Sequence, residues 1–236
     1  MSKDCPTGSD WFTAMGTFDV LAPLPPAIRQ EFISRSTFRT YPAGHVIYVQ
    51  DDRGQEFHRI VSGLVRMSYL HWDGRQLVYS FFERNDCFGY SNLVDGKGLP
   101  HTTEAHTDVE VQVIDRDAFK VLRAHREFED ALLRLVCGHM RLACDYIADA
   151  LLDSCAARIA TRLLECARPN ASGSRHLELP QEEIGLMVGA TRQSVNQVLR
   201  EFQNDGIVHL SYGKVVVDDF GALERRAKGG RLLSAT

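Results

Sequence analysis

The chain has 236 residues, a length that suits one large domain or two unequal smaller ones. With 44% hydrophobic and 25% charged residues it can bury a sizeable core, which excludes wholesale disorder. The net charge of −4, from 27 basic and 31 acidic side chains, argues against a surface uniformly coated with basic charge.

No run approaches the ~18–20 apolar residues that cross a bilayer, and Met1 to Gly16 lack the basic-then-apolar order of an export signal. The six cysteines (Cys5, Cys87, Cys137, Cys144, Cys155, Cys166) contain no C-x-x-C pair. They read as buried, reduced thiols of a cytoplasmic protein, with Cys5 and Cys87 as the alternative redox-sensing positions.

Residues from about 37 to 115 read as short strands. His45–Val49 runs into the turn cluster 51–54, Phe57–Val61 into Ser62-Gly63, and Leu64–His71 into Asp73-Gly74. Asp-Gly between strand-like runs is a hairpin signal, continued by 76–82, and 109–114 alternates cleanly. Strands at this spacing predict a small antiparallel barrel or roll.

From Phe119 to Leu152 the period becomes helical, with no proline and Gly138 as the one glycine. One apolar stripe runs Phe128, Leu132, Leu135, His139, Leu142, Tyr146, and a second runs Leu133, Val136, Met140, Ala143, Ile147, Ala150. A single long helix with two apolar seams needs two surfaces to bury against. The economical arrangement packs one on the roll and one on the same helix of a second copy. Phe128, Leu132, Leu135, His139, Met140 and Ile147 are the residues assigned to this dimerisation helix.

A further helix is expected over 154–167, then a loop over 168–174. The most specific signal follows. Pro180, Glu182 and Glu183 suit a helix start, Ile184, Met187 and Val188 its buried face, and Gly189 its end. Thr191 caps a second helix that buries Val195, Val198, Leu199 and Phe202 and closes at Gly206. Small Gly185, turn Gly189 and inward Val195 follow the steric logic of a helix-turn-helix, and 207–217 reads as a β-hairpin wing. The outward face carries Arg192, Gln193, Asn196 and Gln197, side chains that pair with base edges. Gln181, Thr191, Ser194, Arg200 and Lys214 are expected to contact phosphates.

In this order the motifs resemble the CRP/FNR superfamily of bacterial regulators. The resemblance spans about residues 20–225 and rests on Tyr41-Pro42-Ala43-Gly44, Ser62-Gly63, Phe88-Gly89, the long helix, Ala157-Arg158-Ile159-Ala160 with Leu163-Leu164, Glu183-Ile184-Gly185 and 189–195. It implies an α+β fold: an N-terminal antiparallel β-roll of jelly-roll, cyclic-nucleotide-binding type (1–116), a dimerisation helix (117–152) and a C-terminal winged helix-turn-helix (153–236). It also implies a homodimer on two-fold symmetric double-stranded DNA, with RNA polymerase as a further partner and no enzymatic activity.

Two departures limit what transfers. Where nucleotide-binding members place glutamate after Phe-Gly, this chain has Tyr90, and their arginine region reads Leu99-Pro100-His101-Thr102. A buried phosphate would lack its cation, so tight cyclic-nucleotide binding is not expected. The iron-sulfur members' amino-terminal cysteine cluster is reduced to Cys5. No cofactor is expected; His58, His71, Cys87, His101 and His106 are the residues a haem-sensing alternative would use, and a thiol-based sensor is the other alternative on this scaffold. His101, Glu104 and His106 do not form a three-ligand metal site on a strand, and no catalytic residue is assigned.

Tyr90, Leu142 and Tyr146 are expected to line an apolar, aromatic pocket between roll and long helix. It would hold a neutral small-molecule effector; a filled core in an effector-independent regulator is the other reading. Leu152-Asp153-Ser154 is expected to be the hinge between the sensing and DNA-reading parts. Residues 154–236 carry 11 basic and 9 acidic side chains and 1–153 carry 16 and 22, so the acidic surplus lies in the sensor half. DNA attraction must then come from a few placed cations and be salt-sensitive.

Overall fold

The computed structural model describes residues 19–166, 168–169, 175–177, 181–211 and 214–228. Cys5 and Pro180 lie outside the described residues, as does the Tyr212-Gly213 turn of the wing. The chain divides into two units between Ala143 and Cys144.

The first unit opens with helix α1 (Pro26–Arg35) and strands β1 (Thr37–Tyr41), β2 (Val46–Tyr48), β3 (Glu56–Ser62), β4 (Val65–Leu70), β5 (Gln76–Phe82) and β6 (Cys87–Phe88). A short helix α2 (Ser91–Asp95) precedes β7 (Thr102–Ala105) and β8 (Val109–Asp115). Two four-stranded antiparallel sheets result, ordered β1-β8-β3-β6 and β2-β7-β4-β5. The hairpin at Asp73-Gly74 pairs Leu70 with Gln76 and Val65 with Phe82. Tyr48, Ile60, Val65, Met67, Phe82, Phe88, Leu99, Ala105 and Val111 fill the space between the sheets.

Strand β3 is covered on both faces. His58 and Ile60 are buried on the roll side, while Phe57 turns outward into a second core of Phe32, Ile114, Phe119 and Phe128. There Phe57 meets Phe32 edge-on and stacks on Phe119, each at 5.9 Å between centroids. Arg59, also outward, makes a two-pronged ion pair with Asp19 at 2.9 and 3.0 Å.

The expected single helix from Phe119 to Leu152 is two helices, α3 (Arg116–Arg123) and α4 (Arg126–Leu152), with a turn at Ala124-His125. The reason is rotational phase. At about 100° per residue, an unbroken helix would set Phe128, Leu132 and Leu135 roughly 140° away from Phe119 and Leu122. The turn lets all five enter the same core. Asp115 caps α3 by accepting from the Asp117 and Ala118 amides.

Two seams do exist on α4, though they divide the expected dimer residues. Phe128, Leu132 and Leu135 are buried in the helix-side core, and His139 stacks on Phe82 and Tyr90. The other face leaves Leu133, Met140, Ile147 and Leu151 exposed by 60%, 57%, 56% and 78%. Only Met140 and Ile147 of the assigned set therefore stand on the outward seam.

The second unit contains the last turns of α4, then α5 (Cys155–Cys166), β9 (Arg168–Pro169), β10 (Arg175–Leu177), α6 (Gln181–Val188), α7 (Arg192–Asn204), β11 (Val208–Ser211), β12 (Lys214–Val217) and α8 (Phe220–Lys228). Part of the expected 168–174 loop is strand: β9 and β10 extend the wing to a sheet ordered β11-β12-β10-β9. Val208 opposes Val217 in the wing hairpin.

The corner at 152–154 is braced on several sides. Arg158 donates to the Ala150 and Asp153 carbonyls, capping the end of α4, and Ser154 Oγ accepts from the Ala157 amide at the start of α5. Buried Arg162 lies 3.5 Å from buried Asp149 and pairs with Glu165. The sequence places the domain boundary and a hinge here; these ties instead make the last turns of α4 one body with α5.

Candidate nucleic-acid interface and sensor core

The helix-turn-helix is built by close approach. A β-carbon on Gly185 would stand 2.8 Å from the Ala190 carbonyl oxygen, whose residue donates its amide back to the Gly185 carbonyl at 3.0 Å. Gly189 turns the chain at φ +64°, a conformation that side chains resist. Thr191 then caps α7 through its hydroxyl, which accepts from the Ser194 amide at 3.1 Å. Val195, Leu199 and Phe202 are fully buried, which fixes the rotation of α7.

That rotation sets the outer face. Arg192, Gln193, Gln197 and Arg200 are exposed and Asn196 half-buried, all bordering one open groove that also includes Glu201 and Asn204. Gln197 donates to the Glu201 carboxylate at 3.3 Å. Of the expected phosphate contacts, Thr191 and Ser194 sit at the amino end of α7, beside its exposed first turn, and Gln181 begins α6. Lys214 begins β12, with its side chain outside the described residues. The groove collects all four expected base-reading side chains, and Glu201 and Asn204 were not foreseen. Position i+4 from Gln197 is the sequence signal that places Glu201 on this face.

The sensor core is more polar than its apolar strands suggest. Tyr48 and His101 share a hydrogen bond of 2.8 Å between Oη and Nε2, and the Tyr79 ring meets the same imidazole edge-on at 5.6 Å. Tyr90 hydrogen-bonds His139 Nδ1 and stacks on that ring at 5.7 Å. Burial pulls His101 and His139 from 6.5 down to about 4, and pushes the Tyr48, Tyr79 and Tyr90 hydroxyls up. The cluster is therefore neutral at pH 7.

Tyr90 packs against the helix-side core and Leu142 against the core between the two sheets. Tyr146 does not join them. Its hydroxyl donates to the Met187 carbonyl at 3.0 Å and its ring lies 4.8 Å below the Arg162 guanidinium, so it is part of the second unit's packing. The 4-3-4 spacing places it on the right helical stripe but does not say which body covers that end of the stripe.

The five side chains considered for haem are dispersed. His58 stacks flat on Phe88, 3.5 Å from Glu56 Oε2; His71 pairs with Asp73 at the hairpin tip; His106 meets Phe81 edge-on; His101 is held by Tyr48. Cys87 is fully buried, and burial pushes its thiol pKa up, which removes the thiolate a redox sensor needs. Glu104 pairs with Arg66. Among the described residues, no three His, Cys, Asp or Glu side chains gather as a metal-ligand set, and no helix is long and apolar enough to cross a membrane.

The cyclic nucleotide-binding domain family matches residues 38–126, and the Crp-like helix-turn-helix domain family matches residues 157–226. The CRP-like cAMP-activated global transcriptional regulator of Mycobacterium tuberculosis is 31% identical over 196 residues, covering 80% of this chain and 87% of its own length. The chain belongs to the CRP/FNR family. Transcriptional regulator LdrP of Thermus thermophilus is likewise 31% identical, over 77% of this chain and 92% of its own length. The solved structure of a CRP-family transcriptional regulator from the same organism shares 28% identity at a TM-score of 0.70, covering 84% of this chain and all of that one. As a CRP/FNR member the chain is a DNA-binding transcription regulator with a cyclic-nucleotide-binding-type sensor domain, and not an enzyme.

The neutral imidazoles set a pH dependence. His58, His101 and His139 all have folded-state pKa values lowered by burial, so between about 6.5 and about 4 the unfolded chain takes up protons that the folded roll refuses. Their stabilising effect is complete above pH 6.5 and declines as the pH falls toward 4. Urea unfolding followed from pH 7.5 to 4.5 should show a falling midpoint, with a shallower fall in the His101→Gln/His139→Gln variant. An equal slope in both proteins would refute the assignment.

Proposed function

We propose that this CRP/FNR regulator acts as a homodimer that reads a two-fold DNA site through α7 and answers to an uncharged small molecule held between the roll and α4. The observation that carries the DNA reading is the face of Arg192, Gln193, Asn196, Gln197 and Arg200, exposed on a helix whose opposite side is buried at Val195, Leu199 and Phe202. Arginine can hold guanine by two hydrogen bonds, and glutamine or asparagine can do the same with adenine. Two such faces about 34 Å apart would enter successive major grooves on one side of a duplex. RNA polymerase is the expected partner of the DNA-bound dimer.

The effector class follows from the sensor core. The Mycobacterium relative is cAMP-activated by name. Here the stretch where nucleotide binders place their arginine supplies His101, neutral and bonded to Tyr48. A phosphate buried among Tyr48, Tyr79, Tyr90, His101 and His139 would be stripped of water without a balancing cation. An uncharged ligand that exchanges hydrogen bonds with the Tyr–His pairs meets no such cost. Binding that favours one arrangement of the dimer would shift the population toward the DNA-competent state.

Calorimetric titration with cyclic AMP should show no micromolar binding; a micromolar Kd would overturn the effector class. For DNA, Arg192→Ala should weaken binding to a selected operator by about 1–3 kcal/mol and relax the preference at one base pair. An equal loss on operator and random duplex would contradict base reading by Arg192.

A further inference from the structure

Five cysteines lie among the described residues, and they divide by environment. Cys87 is fully buried in the roll, as the sequence led us to expect of all of them. Cys137 and Cys144 are exposed, both on α4, and neither is in a disulfide within the chain. Their positions fit the outward seam of that helix. Leu133, Cys137, Met140, Cys144, Ile147 and Leu151 follow one another at spacings of 4, 3, 4, 3 and 4, the repeat of a two-stranded coiled-coil core. Leu133, Met140 and Ile147 form one set of alternate layers; Cys137, Cys144 and Leu151 form the other. Every member of the stripe is exposed in the single chain.

The dimer reading proposed above, on which this inference rests, fixes what each layer would meet. If the two recognition helices enter one face of a duplex, both DNA-reading units lie at the same end of the dimer. The 27 residues of α4 span about 40 Å, so antiparallel long helices would carry those units to opposite ends. The helices therefore run parallel and in register about a two-fold axis, and each seam residue faces its own symmetry mate. Helix axes about 8–10 Å apart, with Cα atoms about 2.3 Å from each axis, bring facing Cα atoms to roughly 3.4–5.4 Å, and the upper half of that span is within reach of a disulfide. A disulfide needs a Cα separation of about 4.4–6.8 Å.

We propose that Cys137 and Cys144 are a thiol oxidation site of the dimer, each able to join its symmetry mate in an intersubunit disulfide when the protein meets a peroxide. In the first step a cysteine sulfur attacks one peroxide oxygen. The O–O bond breaks, an S–OH group forms, and the other oxygen leaves as water with the thiol proton. The facing thiol sulfur then displaces that hydroxyl, forming the S–S bond and releasing a second water. Two thiols give up two electrons and one hydrogen peroxide accepts them, so the step needs no further reductant or oxidant. The product is a covalent pair of long helices whose register cannot slip and whose subunits cannot separate on dilution. The attack on Cys137 or Cys144 takes place while the subunits are apart, when the seam is as exposed as it is in the single chain; Cys87 is buried within the chain in either state, with its thiol pKa raised, and takes no part.

The test uses the full-length protein, reduced, sized by light scattering, then exposed to hydrogen peroxide and run on a non-reducing gel. The expected result is a reduced dimer that becomes a covalent species of twice the chain mass, reversed by dithiothreitol. Peptide mapping should find residue 137 joined to 137, or 144 to 144. Cys137→Ser and Cys144→Ser alone should each leave one symmetric link, and the double variant should lose the covalent species while remaining a dimer. A reduced dimer that forms no covalent species would overturn this proposal alone. So would a covalent dimer that persists in the double variant or maps to Cys155 or Cys166. A reduced protein that is monomeric would overturn the dimer reading and this inference with it.

Discussion

Helix α4 carries more apolar surface than one roll can cover. Phe128, Leu132 and Leu135 are buried on one side, and the roll closes over them. On the other side Leu133, Met140, Ile147 and Leu151 stand in solvent, each more than half exposed. Burying a side chain of this size contributes about 1.5–3 kcal/mol, so the open seam withholds several kcal/mol from a lone chain. The turn at Ala124-His125, the two sides of the helix and the exposure of Cys137 and Cys144 all follow from where these two stripes can go.

In the proposed function the two ends of the chain recognise by opposite means. At α7 a buried row of Val195, Leu199 and Phe202 turns charged and amide side chains outward, where they keep their water until a base edge replaces it. In the roll, Tyr48, Tyr79, Tyr90, His101 and His139 are turned inward, where burial holds every one of them neutral. As the proposed effector site, that cluster would select against ions and orient a ligand by hydrogen bonds. Between them, the corner at 152–154 is tied by Arg158, by Arg162 with Asp149, and by Tyr146 with the Met187 carbonyl. The final turns of α4 thus pass directly into the packing of the first helix of the helix-turn-helix.

The legible parts of the sequence were those where sterics leave few options. Gly185, Gly189, Thr191 and Val195 mark the helix-turn-helix because a turn this tight admits little else at those positions, and Asp73-Gly74 marks its hairpin for the same reason. The sequence pattern runs α3 into α4 because no proline or glycine interrupts 119–137; the break brings Phe119 and Phe128 into one core, a tertiary demand with no local signal. Spacing showed that His139 and Tyr146 share a stripe but not that Tyr90 holds one and Met187 the other. Glu201 carries no base-pairing or phosphate-binding signature of its own, and only its place one turn beyond Gln197 brings it to the groove. Cys137 and Cys144 read as core residues by type, and only the exposure of their helix face moves them to the seam.

In the proposed dimer the outward seam of α4 joins two copies and so sets the pair of α7 helices on DNA. Placing Met140→Glu and Ile147→Glu together on that seam changes two exposed side chains and leaves the roll and the helix-turn-helix intact. Light scattering of the full-length double variant, with circular dichroism on the same sample, tests the claim most directly. The expected result is a folded monomer that no longer binds a two-fold operator at concentrations where the parent protein does. A double variant that remains a dimer with full operator binding would contradict it.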